Sequence, residues 1–272
     1  MAARRGGGLM GARVETFGAA TLYLGDWRDH IEEIGPVDHT FADTPYGNFM
    51  HAAKAKARAR PLRNDGGPEL IPLEFETIEG QREEVAAAWC EKTKGWMLTF
   101  CEPEAVGDWR WALMAAGARY KRACFWVKVG ATPQMNGQGP GMGVEAFTAA
   151  WCGPGHSAWN GGGRDNHFEH PVPRKPRGRE RHPTEKPISL MEEITVLFSN
   201  PGQLICDPFM GSGTTGVAAL RKGRGFVGIE VNEKYFDLAC YRLEAAAQDG
   251  VQTDFFEYRK PVQNRMELAV PS

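Results

Sequence analysis

Short apolar runs alternate with amphipathic stretches along most of the chain. The run ATLYLGD (20–26) predicts a strand, WRDHIEEIG (27–35) a helix, and VDHTFAD (37–43) a second strand stopped by Pro45 and Gly47. The pattern continues with a helix over about 78–91, a strand over 95–103, a helix over 107–117 closed by Gly117, and a strand over 124–130. From 131 to 181 the periodicity is lost in glycine- and proline-rich sequence, and so long a loop in a compact domain is either functional or disordered. Order resumes with a helix over 188–200, a strand over 203–209, a glycine turn, a helix from Thr214, a strand over 224–231 and a helix over 233–248. Strands alternating with helices predict an α/β layer structure. Residues 249–272 read as a tail.

Composition narrows the class. Of 272 residues 42% are hydrophobic and 24% charged, which excludes a collagen-like or disordered chain and leaves enough sequence for a large core. No run approaches the roughly 18 apolar residues of a membrane span, so no membrane partner is expected. The opening MAARRGGGLMGA lacks an apolar stretch behind its arginines, and residues 1–19 read as a frayed arm rather than a secretory signal. The six cysteines form no C-x-x-C pair, the usage of a reducing compartment and here of a cytoplasm. Cys90, Cys101, Cys124 and Cys206 stand beside apolar residues and are expected to be buried. Cys152, His156, His167, His170 and His182 crowd together, but without paired ligand spacing a zinc site is not expected.

The net charge of −2 gives no overall attraction to a polyanion, so nucleic-acid binding would rest on local patches. Two exist. Lys54, Lys56, Arg58, Arg60 and Arg63 fall in a segment (48–77) expected to be mobile; Arg174, Lys175, Arg177, Arg179 and Arg181 cluster around a single acid, Glu180. Each is either a solvated charged loop or a set of phosphate contacts.

The turn Gly211-Ser212-Gly213-Thr214-Thr215-Gly216 follows a predicted strand and opens a helix, and Glu230 ends the next strand. That spacing suits a nucleoside cofactor: glycines let backbone N–H groups approach it, and a carboxylate accepts two ribose hydroxyls. The alternative is a tight turn with no ligand. Asp207 directly precedes the turn, where a carboxylate repels a pyrophosphate and attracts an ammonium. This favours S-adenosyl-L-methionine over a dinucleotide.

With HPTEKP (182–187) before it and GIEVNEKY (228–235) after it, DPFMGSGTTG (207–216) resembles the cofactor half of the amino-group (N6-adenine/N4-cytosine) DNA methyltransferases. DTPYG (43–47) stands where one class of that family has its D-P-P-Y motif, ahead of the cofactor motif. The resemblance implies a Rossmann-like methyltransferase fold over 20–248, circularly permuted, with a mixed seven-stranded sheet and helices on both faces. It implies a target-recognition region over 131–181, in which Trp151, Trp159, Asn160 and Arg164 could meet bases or, alternatively, anchor a packed loop.

It also implies site roles. Asp43 and the carbonyl of Thr44 would accept from an exocyclic amine, with Pro45 in the turn and Tyr46 stacked on a flipped base. Thr44 departs from the family's proline and puts the loop geometry in question. Gly211, Ser212, Gly213, Thr214, Asp207, Glu230 and Phe209 would hold the cofactor, with Lys186 and Thr184 at its carboxylate. Asp26 would either meet the cofactor adenine or cap a helix. An aspartate at position 43 goes in this family with adenine N6 more than with cytosine N4. Double-stranded DNA is the implied substrate, in a bacterial or phage setting, and the class admits a homodimer and a cognate restriction nuclease. Rival readings are a cytosine N4 enzyme, a methyltransferase acting on RNA or protein, a nucleotide-cofactor oxidoreductase and an inactive DNA-binding protein.

Overall fold

The computed structural model describes residues 13–45, 78, 80–131, 139–173 and 185–249. Among the described residues nine strands form one sheet: β1 (Val14–Phe17), β2 (Ala20–Leu24), β3 (His39–Ala42), β4 (Trp96–Cys101), β5 (Arg119–Val129), β6 (Val144–Trp151), β7 (His167–Pro171), β8 (Leu204–Asp207) and β9 (Gly225–Glu230). Their spatial order is β1-β2-β9-β8-β3-β4-β6-β5-β7. From β2 through β4 neighbours run parallel; β6 is antiparallel to both β4 and β5, and β1 to β2. The expected mixed α/β sheet is present, with nine strands rather than seven because an edge strand is added at each side.

Both additions come from regions read as unstructured. β1 lies in the expected arm, pairing Val14 with Tyr23 through Phe17 with Ala20. As an edge strand it alternates only between exposed and half-buried positions, so its hydrophobic signal is weak. Arg13 holds its start with a 2.6 Å ion pair to Asp237. The expected loop 131–181 contains both β6 and β7. Seven of the eight β6 positions are buried; a strand buried on both faces shows no alternation and reads poorly among glycines.

Helices cover both faces. One layer holds α1 (Trp27–His30), α2 (Arg82–Lys92) and α3 (Val106–Ala115); the other holds α4 (Ile188–Phe198), α5 (Thr214–Arg221) and α6 (Glu233–Asp249). Alternation along the central strands divides the core between them. Phe41, Leu98 and Phe100 pack with Leu190, Ile194, Val217 and Phe236. Ala42, Met97 and Cys101 pack with Val85, Trp89, Trp109 and Leu113 on the other side. The four cysteines expected inside are all buried. Among the described residues no helix is long and apolar enough to cross a membrane.

The chain leaves β8 for β9 on one side and β3 for β4 on the other. The boundary between β8 and β3 is therefore a topological switch point, and crevices form beyond the carboxyl ends of strands at such points.

Candidate active site

Three carboxylates mark that boundary. Glu230 ends β9, Asp207 ends β8, and Asp43 follows β3 directly. The register of Thr40 with Cys206 extended three residues, and that of Asp207 with Gly228 extended two, bring Asp43, Phe209 and Glu230 level. Two strand spacings separate Asp43 from Glu230, about 10 Å. The backbone N of Asp43 is 3.5 Å from Asp207 Oδ1.

The glycine turn is built around Glu230. Its Oε2 accepts from Gly211 N at 2.9 Å and its Oε1 from Asn232 N at 2.8 Å, which leaves acceptor capacity on both oxygens. Gly211 (φ 52°) and Gly213 (φ 77°) adopt the left-handed conformation. A Cβ on Gly213 would lie 2.7 Å from Leu243 Cδ1, so this glycine is needed for α5 to pack on α6. Thr214 opens α5, and Ser212 receives Arg242 Nη1 on both its carbonyl and its hydroxyl at 2.6 Å. The other arm of Arg242 reaches Glu185 Oε1 at 2.9 Å, tying the glycine turn to the segment before α4.

Asp207 is fully buried. Its Oδ2 accepts from Thr215 Oγ1 at 2.7 Å and its Oδ1 from Phe209 N at 3.0 Å. Burial pushes its pKa up to about 7 against these hydrogen bonds, with the nearby Asp43 charge pushing the same way. Burial likewise raises Glu230 to about 7, opposed by the backbone N–H groups it accepts from.

Asp43 is held by side chains from distant parts of the chain. Lys186 Nζ donates to its Oδ1 at 2.6 Å and also lies 2.7 Å from Glu145 Oε1. Lys128 Nζ approaches the other Glu145 oxygen at 3.1 Å. Burial raises the Asp43 pKa, Lys186 opposes that and Glu145 adds to it. Thr44 is buried and donates from Oγ1 to Phe100 O at 2.8 Å, so the hydroxyl pins to β4 the position where the family's proline would stiffen the turn. Pro45 is half-buried at the end of this stretch.

Other expected residues fall as follows. Asp26 caps α1, accepting from Arg28 N at 2.9 Å, and its carboxylate also meets the Arg28 guanidinium at 3.1 Å. Phe209 packs against the α1–α3 core. Lys186, expected at a cofactor carboxylate, faces Asp43 and Glu145. Arg164, expected at DNA, pairs with Glu193 at 2.5 Å and lies over the Phe168 ring. Asn160 donates to the carbonyls of Val196 and Ser199 at the end of α4, and Trp159 packs edge-on against Phe198; of the two readings for this region, the anchored loop accounts for both. Tyr46, Lys54, Lys56, Arg58, Arg60, Arg63, Arg174, Lys175, Arg177, Arg179, Arg181 and Thr184 lie outside the described residues.

Glu145, Lys128 and Arg242 escaped the sequence reading. Glu145 had a signal, a single acid in the otherwise apolar VEAFTAAW, because a buried acid requires a partner. Arg242, three residues after the buried Ala239, stands on the apolar stripe of α6.

Residues 143–240 match the N6_N4_Mtase family model, described as DNA methylase. The chain is 47% identical over 68 residues to the DNA adenine methyltransferase YhdJ of Escherichia coli K12, covering 25% of this chain and 23% of that protein. It is 51% identical over 65 residues to the type II methyltransferase M2.DpnII of Streptococcus pneumoniae, 24% of each. The matched stretch thus spans about a quarter of the length of these curated relatives. Among solved structures, the M1.HpyAVI–SAM complex aligns over 82% of this chain and 98% of its own, with a TM-score of 0.62 at 24% identity. The cytosine-N4-specific PvuII DNA methyltransferase aligns over 84% and 87%, with a TM-score of 0.60 at 15% identity. These two show a shared fold. The family-model match runs through the glycine turn and Glu230.

Proposed function

We propose that the protein is an S-adenosyl-L-methionine-dependent DNA methyltransferase that modifies an exocyclic amine, adenine N6 in preference to cytosine N4. The observation that carries this reading is the row of three carboxylates, Asp43, Asp207 and Glu230, on adjacent strand ends at the switch point. Its donor set suits the cofactor. Glu230 retains acceptor capacity for ribose hydroxyls, and the acids favour a ligand bearing sulfonium and ammonium charge over one bearing pyrophosphate. Gly211, Ser212, Gly213 and Thr214 would form the turn against it, with Asp207 and Phe209 beside it.

When bound, S-adenosyl-L-methionine supplies an already activated methyl group. The chain's task is to present a weak nucleophile to it. Ring delocalisation withdraws the lone pair of an exocyclic amine, and acceptors for the two amine hydrogens return it to nitrogen. Asp43 supplies one acceptor and the Thr44 carbonyl the other, while Tyr46 would stack on the extruded base. Orientation accounts for most of the acceleration. An oxidoreductase would leave Asp43 and its ion-pair network without a task.

The preference for adenine rests on Asp43 and on the similarity to the DNA adenine methyltransferase YhdJ; the cytosine-specific structural neighbour keeps the N4 reading as the direct competitor. Mass spectrometry of nucleosides from DNA treated with the protein and cofactor separates them. N6-methyladenine is expected. N4-methylcytosine alone would overturn the base preference, and neither product on any DNA would overturn the reading.

A further inference from the structure

We infer that Lys186 and Glu145 are a positioning pair for Asp43: Lys186 keeps Asp43 ionised and ties down its Oδ1, leaving Oδ2 for the target amine, and Glu145 holds Lys186 in place. This rests on the methyltransferase reading for its purpose but on the geometry for its content.

Lys186 Nζ is 2.6 Å from Asp43 Oδ1 and 2.7 Å from Glu145 Oε1, with side-chain exposures of 3% for the lysine, 6% for Glu145 and 26% for Asp43. The ammonium is thus more deeply buried than the carboxylate it serves, and such a charge is held only by partners. Lys128 Nζ, 3.1 Å from Glu145 Oε2, completes a chain of four alternating charges drawn from β5, β6, the segment before α4 and the end of β3. The Phe100 ring lies 5.2 Å from Lys186 Nζ and closes another side.

Two demands on Asp43 conflict. It must be half-buried to meet a base away from water, and burial favours its protonated form. A protonated carboxyl offers a donor where an acceptor is needed. Asp207, whose Oδ1 faces the Asp43 backbone N, adds like charge, and so does Glu145. Farther out, the Cys101 thiol is held protonated by burial, and Arg82 faces Glu102 at the end of β4. Lys186 is the cation in direct contact with Asp43. It cannot serve a cofactor carboxylate at full strength while it bridges two protein carboxylates, so its position separates the two roles.

The test compares the wild type with Lys186→Met, Lys186→Arg and Glu145→Gln. The Asp43 carboxyl is followed by carbon-13 NMR on aspartate-labelled protein, its signal assigned with Asp43→Asn, and cofactor affinity and methyl transfer are measured across pH. In Lys186→Met the Asp43 titration is expected to move upward by at least about one pH unit, a tenfold change in the ionised fraction on the acid side. Cofactor Kd should stay within about threefold, and Lys186→Arg should recover part of the shift. Glu145→Gln should lower kcat about tenfold with the cofactor Kd unchanged. An unmoved Asp43 titration in Lys186→Met, or a cofactor Kd raised tenfold or more, would overturn the inference, as would a Glu145→Gln variant indistinguishable from wild type in kcat. Methyl transfer absent from the wild type while the Asp43 titration shifts as expected would instead break the functional reading and leave the pairing standing.

Discussion

The two sides of the crevice hold their acids by different means. On the glycine-turn side, Glu230 and Asp207 are buried and satisfied by groups close by in the chain: backbone N–H groups two residues on, the Gly211 N–H and the Thr215 hydroxyl. On the Asp43 side, the carboxylate depends on Lys186, 143 positions away, and through it on Glu145 and Lys128. A short segment carries its own solvation for the first two acids. The third acid is solvated by the tertiary fold. The difference teaches where each side is fragile: the glycine-turn side to changes in its own turn, the Asp43 side to changes far off in the chain.

The sharpest way to break this comparison is to remove one acid from each side. Asp43→Ala should reduce methyl transfer at least a hundredfold while cofactor affinity changes less than about threefold. Glu230→Gln should do the reverse, raising cofactor Kd about ten- to a hundredfold through lost hydrogen bonds to a charged acceptor, with a smaller fall in turnover at saturation. Single-turnover assays and calorimetric binding distinguish the two. Equal loss of cofactor affinity in both variants would mean the acids do not divide the work.

That contrast also explains how much could be read in advance. The strand–turn–helix around Gly211 and the acid ending the next strand are contiguous in sequence, so their spacing already carries the geometry. Asp43 was legible for the same reason, as the end of an apolar run stopped by Pro45. Glu145 was not, because its strand lacks the alternation that marks a half-exposed one, and because its partner Lys186 lies in a motif that offered another use. β1 and β7 were missed for a complementary reason: edge strands bury too little to leave a strong pattern. Asn160 and Arg164 can both contact bases in principle, and in this structure both are engaged with α4.

The buried acids predict opposite pH trends for stability and binding. Asp207 and Glu230 titrate near about 7 when folded and about 4 when unfolded. Between those values the native state holds more protons, so stability of the free protein should fall as pH rises from about 4 through 7. Cofactor binding draws on the ionised forms, so its affinity should climb over the upper part of the same window and binding near pH 6.5 should release protons. Titrations in buffers of different ionisation enthalpy measure that release, and chemical denaturation from pH 5 to 8 measures the stability trend. Proton uptake on binding would contradict the assignment of these two acids as cofactor contacts.

A smaller effect tests whether the glycine turn is as self-contained as its hydrogen bonds suggest. Gly213→Ala places a methyl group 2.7 Å from Leu243 Cδ1 and 3.0 Å from Ala239 Cβ at φ 77°. It should cost about 1–3 kcal/mol of stability, read from urea denaturation. The loss should appear in α6 packing and carry cofactor affinity with it, while the Asp43–Lys186 pair on the far side is unchanged.

The smallest expected effect concerns Thr44, where this chain departs from the D-P-P-Y motif it resembles. Its hydroxyl bond to Phe100 O ties the Asp43 loop to β4 inside the protein. Thr44→Val keeps the shape and removes the donor, leaving a buried carbonyl short of a partner, at a cost of about 1–2 kcal/mol in stability and a few-fold in turnover. Thr44→Pro removes the same donor but limits the backbone by its ring and restrains Asp43 as the residue before it. If the hydroxyl and the ring are two solutions to one problem, the proline variant should turn over faster than the valine variant despite a similar loss of stability. The reverse order, proline slower than valine, would mean that the loop in this chain depends on the Phe100 hydrogen bond itself and not on restraint alone.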